Sequence, residues 1–185
     1  MNIPLLFSFS PSWLIQGLQH PFLTPSHAIL ICSLAFLIGQ QSKLAIHIIL
    51  LFISSIVGML LNYYLFPGAR LELLLLGMAL IIGLLVVIRI KHFPSLMLTI
   101  SLLLATLTGL FIGVDSQPIS IPGLRTNSVI NWHLGAVITL TLSALILSLI
   151  AKVLLRFGDG IVLRVLGSWV ATSALITLAL QYAKI

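Results

Sequence analysis

The residues best suited to chemistry are three histidines and one aspartate that lie beside long apolar runs. His20 and His27 flank the start of the first run, Asp115 follows the fourth, and His133 begins the fifth. Imidazole and carboxylate together are a suitable ligand set for nickel, cobalt or zinc. Ionisable groups near membrane depth are costly and often functional. We therefore predict that these four residues form a metal site; the alternative is that each simply reaches interfacial water from a helix end.

These residues belong to a chain whose composition excludes a soluble fold. Of its 185 residues, 60% are hydrophobic and only 6% are charged, whereas a soluble domain has about a quarter of its residues charged. Such a chain cannot cover a surface exposed to water, so the predicted environment is a lipid bilayer. The net charge of +6 comes from basic residues that stand singly in short loops. That distribution is typical of basic residues that orient a membrane protein and contact anionic lipids, and not of a nucleic-acid-binding surface.

Apolar runs close to the length of a membrane span predict an all-α polytopic bundle of about six transmembrane helices. The preceding segment, 1–20, is apolar but contains prolines, and we expect it to be interfacial or re-entrant. The whole chain, 1–185, is then a single transmembrane domain. The predicted spans are about 21–39, 44–66, 71–90, 94–114, 132–151 and 161–181.

The basic residues predict how these spans are oriented. With six spans, six basic residues fall on one side of the membrane and three on the other. Because basic residues concentrate on the cytoplasmic side, we expect both termini and the loop after the fourth span to lie outside. The protein would then be integral to a bacterial inner membrane or its equivalent. The first set is Lys43, Arg89, Lys91, Lys152, Arg156 and Arg164, and the second is Arg70, Arg125 and Lys184.

Two segments together resemble a known family. The stretch from Gly17 through His27 is similar to the first signature of the HupE/UreJ family, which has His, five residues, Asp, His at the start of the first span. This chain has both histidines, His20 and His27, with Ser26 in place of the family's Asp.

The stretch 107–115 resembles the family's second signature, Phe-His-Gly-x-Ala-His-Gly-x-Glu. Gly109 and Gly113 match its glycines, and Asp115 stands at its acid. The two signature histidines are replaced by Thr108 and Ile112. The spacing of the two glycines also favours close helix packing on its own account.

The resemblance implies a small membrane permease for nickel or cobalt, of the kind found with hydrogenase and urease systems. It implies that His20, His27 and Asp115 form an outer entry site for Ni²⁺ or Co²⁺. His133 lies outside both motifs and would add a third imidazole. Loss of two histidines and one carboxylate weakens the ligand set, which leaves altered selectivity or loss of transport as open alternatives.

The main alternative function is a non-transporting accessory or structural subunit of a larger membrane complex. Weakened ligands, Leu-rich helices and short loops fit a lipid-embedded partner, and the first 18 residues would serve as a docking element. We do not expect an enzyme, since the sequence contains no nucleotide-binding loop, HExxH motif or serine-nucleophile elbow.

Overall fold

A computed structural model describes residues 11–65, 70–89, 93–116 and 126–183, and all the regular secondary structure in this part of the chain is helical. The predicted all-α class is therefore confirmed. Residues 1–10 of the predicted interfacial segment lie outside the described residues, as do Lys91, Arg125 and Lys184 of the topology prediction. The helices are α1 (Pro11–Leu23), α2 (Pro25–Gly39), α3 (Leu44–Tyr64), α4 (Glu72–Ile88), α5 (Pro94–Asp115), α6 (Thr126–Leu154) and α7 (Ile161–Ala183), with a short 3-10 turn at Gly158–Gly160.

Four of these helices, α3, α5, α6 and α7, are long and apolar enough to cross a membrane. A fifth crossing is formed if α1 and α2 act together, although they are bent by 71° relative to each other. Helix α4 has 17 residues and is shorter than the other apolar spans. The described helices are thus consistent with an integral membrane protein of four or five spans, and the expected six are not all established.

The bend between α1 and α2 has a local cause at Thr24. Thr24 has an extended backbone, with φ −97° and ψ 108°, and it directly precedes Pro25. A residue before proline is pushed out of the helical region by contact with the proline ring. Pro25 can nevertheless begin α2, because a first-turn residue needs no backbone donor. The first predicted span, 21–39, is therefore two helices that meet at an angle.

Helix α2 is the centre of the bundle. It packs mainly against α4 and α6, with further contacts to α7, α5, α1 and α3. Its apolar side chains are buried on every side, which is the pattern of a helix that is hydrophobic all round. Those with 2% exposure or less are Leu30, Ile31, Leu34, Ala35, Leu37 and Ile38.

The other helices form three closely packed pairs, and glycines from both partners meet in each pair. In α3–α5, a Cβ atom added to Gly113 would lie 3.0 Å from the Cα atom of Gly58. Such an atom would overlap the facing backbone, so these positions require glycine. The predicted packing role of Gly109 and Gly113 agrees with their position against α3. The facing glycines are Gly58 and Gly113 in α3–α5, Gly17 and Gly135 in α1–α6, and Gly83 and Gly167 in α4–α7.

Side-chain contacts join the helix ends at both sides of the bundle. At one side, Arg164 Nε donates to the Val87 carbonyl at 3.0 Å, which links the start of α7 to the end of α4. At the other side, Gln181 Nε2 donates to Glu72 Oε2 at 2.9 Å and links the opposite ends of the same two helices. Arg164 and Arg89 therefore lie at the same end of the bundle, as the topology prediction requires.

Candidate functional site

The four predicted site residues lie at one end of the bundle, on four different helices. His20 is in the last turn of α1, and His27 is in the first turn of α2. Asp115 is the last residue of α5, and His133 lies about two turns into α6. The antiparallel arrangement brings these helix ends together. The structure therefore gathers residues that are far apart in the sequence into one neighbourhood.

The central contact is a hydrogen-bonded pair between His27 and Asp115. His27 Nε2 lies 2.9 Å from Asp115 Oδ2, and the two side chains are 0% and 8% exposed. The other carboxylate oxygen, Oδ1, accepts a hydrogen bond of 2.6 Å from the backbone N–H of Leu71, just before α4. The aspartate is thus held at both oxygens, by groups from two other elements.

This pairing decides where the lone pair of His27 points. An ionised carboxylate only accepts hydrogen bonds, so His27 Nε2 must carry the hydrogen that Asp115 accepts. The other ring nitrogen, Nδ1, is buried and makes no hydrogen bond to the described residues. In the neutral ring, Nδ1 is therefore a free electron-pair donor. A histidine fixed by a carboxylate on one nitrogen and open on the other is the usual arrangement of a metal ligand.

His20 lies directly against His27. Their ring centroids are 5.2 Å apart and the rings are nearly perpendicular, at 86°. The same His20 ring is 5.2 Å from the ring of Trp132 on α6, which is largely buried. His20 Nε2 is buried and makes no hydrogen bond to the described residues. His20 and His27 are thus in contact, and each has one buried ring nitrogen without a hydrogen-bond partner among the described residues.

His133 completes the cluster from the side of α6. Its ring approaches the backbone of Val129, one turn earlier, and of Ser116, just after α5. His20 lies within electrostatic range of His133 as well as of His27 and Asp115. The Nε2 atom of His133 is buried without a well-formed hydrogen bond among the described residues. All four predicted residues are therefore neighbours in space.

Three hydroxyl groups near the cluster were not predicted. Ser26 precedes His27, Ser116 follows Asp115, and Thr108 lies seven positions before Asp115 on α5, on the same face of the helix. All three are buried, and their hydroxyl oxygens have no hydrogen-bond partner among the described residues. The available signal was that Ser26 and Ser116 are each adjacent in the sequence to a predicted site residue. They extend the polar region from the helix ends into the bundle.

The cluster does not form a complete metal-binding cage. Among the described residues, no three His, Cys, Asp or Glu side chains are arranged to hold one ion together. An apolar groove of about 530 Å³ also reaches His133, between α3 and α6. Its lining is almost entirely hydrophobic, so this groove does not supply further ligands. The described arrangement therefore offers single imidazole nitrogens and not a closed set of ligands.

Comparisons of the chain with known protein families, with curated proteins and with solved structures find no match. The class of site is therefore defined by its own geometry: a buried imidazole–carboxylate cluster at one end of an apolar helical bundle.

Proposed function

We propose that the protein is a divalent metal-ion permease of the HupE/UreJ type, with an entry site formed by His20, His27, Asp115 and His133. The observation that carries this proposal is the 2.9 Å pair between His27 and Asp115. The pair leaves His27 Nδ1 buried and without a partner among the described residues. A buried polar atom without a partner costs free energy, and a ligand that accepts its lone pair removes that cost.

The donor set is compatible with nickel or cobalt, the ions that the resemblance to the HupE/UreJ family implies. Imidazole nitrogens suit Ni²⁺ and related ions better than they suit Mg²⁺ or Ca²⁺, which prefer oxygen. His20 and His27 each offer one available nitrogen, and Asp115 supplies a negative charge beside them. With so few ligands, the ion keeps part of its hydration shell. Weak binding is compatible with transport, since the ion must also leave the site.

The proposal includes a membrane arrangement with six spans. In it, the bent α1–α2 unit and the shorter α4 cross the bilayer together with the four long helices. The entry site then lies on the outer side of a bacterial inner membrane, and both termini lie on that side as well. The positions of Arg89 and Arg164 at the opposite end support this orientation, because basic residues favour the cytoplasmic side.

Uptake of Ni²⁺ and Co²⁺ into proteoliposomes tests the proposal. The purified wild-type protein and two variants, His27→Gln and Asp115→Asn, are reconstituted at equal density, and internal metal is measured by elemental analysis. We expect saturable uptake by the wild type and loss of most of it in both variants. Ser33→Ala is the matched control, because Ser33 is buried in the same helix and its hydroxyl donates to the Leu30 carbonyl at 2.8 Å.

Failure of the wild type to transport either ion above the rate of empty liposomes would overturn the permease proposal. Equal uptake by the wild type and His27→Gln would instead remove the cluster from the transport path.

A second candidate function, an accessory subunit of a membrane complex, has some support from α7. This helix is the least buried of the four long spans, and Trp169 and Leu180 are largely exposed on it. In a complex, this surface would contact a partner helix. Purification in a mild detergent from the native membrane tests the idea: a stoichiometric partner that is lost when Trp169 is replaced by Ala supports it, and a protein that purifies alone contradicts it.

A further inference from the structure

A second buried histidine lies at the other end of the bundle, between α3 and α5. His47 is in the first turns of α3, and both His47 and Ser101 of α5 are fully buried. His47 Nε2 lies 2.8 Å from Ser101 Oγ, and His47 Nδ1 lies 2.7 Å from the carbonyl oxygen of Lys43. Both ring nitrogens therefore have a partner, unlike those of the histidines at the entry site.

The partners require a hydrogen on Nδ1 of His47 and allow Nε2 to be either protonated or unprotonated. A backbone carbonyl can only accept a hydrogen bond, so His47 Nδ1 carries a hydrogen in every state. Ser101 Oγ also lies 2.9 Å from the Leu98 carbonyl. The hydroxyl has a single hydrogen, which it can donate either to Nε2 of His47 or to the Leu98 carbonyl.

Each choice of the hydroxyl corresponds to one protonation state of His47. When Ser101 donates to Nε2, the ring is neutral and every group has a partner. When Ser101 rotates and donates to Leu98, its oxygen can accept a hydrogen bond from Nε2–H, and the ring is then a cation. In both states each polar hydrogen of the pair has an acceptor, so rotation of one hydroxyl accommodates the change without movement of a helix.

From this geometry we propose that His47 is a reversible proton-binding site inside the α3–α5 interface, with Ser101 as the hydroxyl that adjusts to its protonation. The proton is taken up at Nε2 from the aqueous phase near the start of α3, where Ser42 and Lys43 are exposed. It returns by the same route, and no covalent bond other than the one between this proton and Nε2 is made or broken.

The surroundings of His47 determine how this site behaves. Helices α5, α6 and α2 pack against α3. The hydrogen bond from Nδ1 to the Lys43 carbonyl is present in both protonation states, so the charge of the ring is decided at Nε2, beside Ser101. The titratable groups on those three helices are Asp115, His133, Lys152, His27 and Cys32.

The site is separate from the entry cluster and independent of the proposed metal. Ser101 precedes Asp115 by almost four turns of α5, a distance of about 21 Å along the helix axis. Intramembrane histidines that gain and lose protons serve as relays in pumps and transporters. The inference thus concerns proton binding at His47, whatever solute the protein carries.

Nitrogen-15 NMR of the full-length protein in lipid bilayers, labelled at histidine, tests the proposal without any transport assay. The His47 signals are identified by their loss in His47→Gln. We expect one protonated and one unprotonated ring nitrogen at high pH, and reversible conversion of Nε2 to the protonated form as the pH falls. If Nε2 stays unprotonated at every pH at which the protein remains folded, the proposal is wrong.

The role of the hydroxyl is tested with Ser101→Ala. Without Ser101, the neutral ring loses the hydroxyl that donates to Nε2, and the charged ring loses the acceptor for its Nε2–H. Because hydrogen bonds to charged groups are the stronger of the two, the difference should lower the midpoint by about one pH unit. Ser54→Ala is the matched control, since Ser54 is a buried serine of α3 that bonds to the Leu51 carbonyl. An unchanged midpoint in Ser101→Ala, or an equal change in Ser54→Ala, would contradict the hydroxyl mechanism.

Discussion

His27 and Asp115 are separated by 88 positions in the chain, and a 2.9 Å hydrogen bond joins them at the meeting point of α2 and α5. The backbone N–H of Leu71 binds the second oxygen of the same carboxylate, so the start of α4 is attached to this pair as well. One aspartate thus connects three helix ends and fixes the orientation of one imidazole. This connection makes the pair both a structural junction and the centre of the proposed entry site.

Replacement of Asp115 by Asn is expected to lower the affinity for Ni²⁺ or Co²⁺ by about 10- to 100-fold, the usual cost of losing a group that orients a metal-ligating histidine. Asn has nearly the same shape but no negative charge, so the orientation and basicity of His27 both change. Isothermal titration of the purified protein with each ion measures the effect. Glu72→Gln is the control, because the exposed Glu72 contacts Gln181 at the same end of the bundle and lies outside the cluster. Equal losses in the two variants would indicate a general charge effect and not a specific site.

Binding of Ni²⁺ or Co²⁺ at the histidine cluster is expected to quench the fluorescence of Trp132. The ring of Trp132 lies 5.2 Å from the ring of His20, and these paramagnetic ions quench indole emission at short range. Titration of the wild type should show saturable quenching that disappears in Trp132→Phe. Trp169→Phe should keep the quenching, since Trp169 is exposed on α7, away from the cluster. Trp13 lies on α1, about two turns before His20, so every protein in this titration also carries Trp13→Phe. Quenching that then persists in Trp132→Phe would mean that the ion binds elsewhere.

A bulky residue at Gly109 is expected to destabilise the protein. A Cβ atom at this position would already overlap the facing backbone and the Ser54 side chain of α3. We predict that Gly109→Leu lowers the free energy of unfolding by about 1–3 kcal/mol or more, since this range is the typical cost of overpacking. Thermal unfolding in detergent measures the change. Gly77→Leu is the matched control, since among the described residues no neighbouring element comes within 4 Å of a Cβ atom at Gly77, and its effect should stay within about 0.5 kcal/mol.

Labelling of single cysteines tests the predicted orientation. The chain has one cysteine, Cys32, which is first replaced by Ala. Cysteines are then introduced at Arg70 and at Ser42, two exposed positions at opposite ends of the bundle. In intact cells, a membrane-impermeant maleimide should label Arg70→Cys and leave Ser42→Cys unlabelled until the membrane is broken. The reverse pattern would place the entry cluster on the cytoplasmic side.

Much of the architecture follows from local sequence alone. Runs of Leu, Ile and Val of membrane-spanning length predict helices wherever they occur, because in lipid each backbone donor and acceptor must be satisfied within its own segment. The predicted spans over 44–66 and 94–114 accordingly agree closely with α3 (Leu44–Tyr64) and α5 (Pro94–Asp115). The break at Thr24 was less evident, since Pro25 permits either a bend or a helix start. Likewise, α6 begins at Thr126, six residues before the predicted span, because polar residues at a helix end carry no hydropathy signal.

The sequence also singled out four residues that the structure brings together, since ionisable side chains at the ends of apolar runs are rare and conspicuous. It could not determine that His27 pairs with Asp115, that His20 lies against Trp132, or that Ser101 faces His47. Those relationships depend on which helices are neighbours and how each is rotated, and close contact between facing glycines on different helices contributes to both. Local composition thus determined which segments form helices and which residues are polar, whereas only tertiary packing decided which polar groups meet.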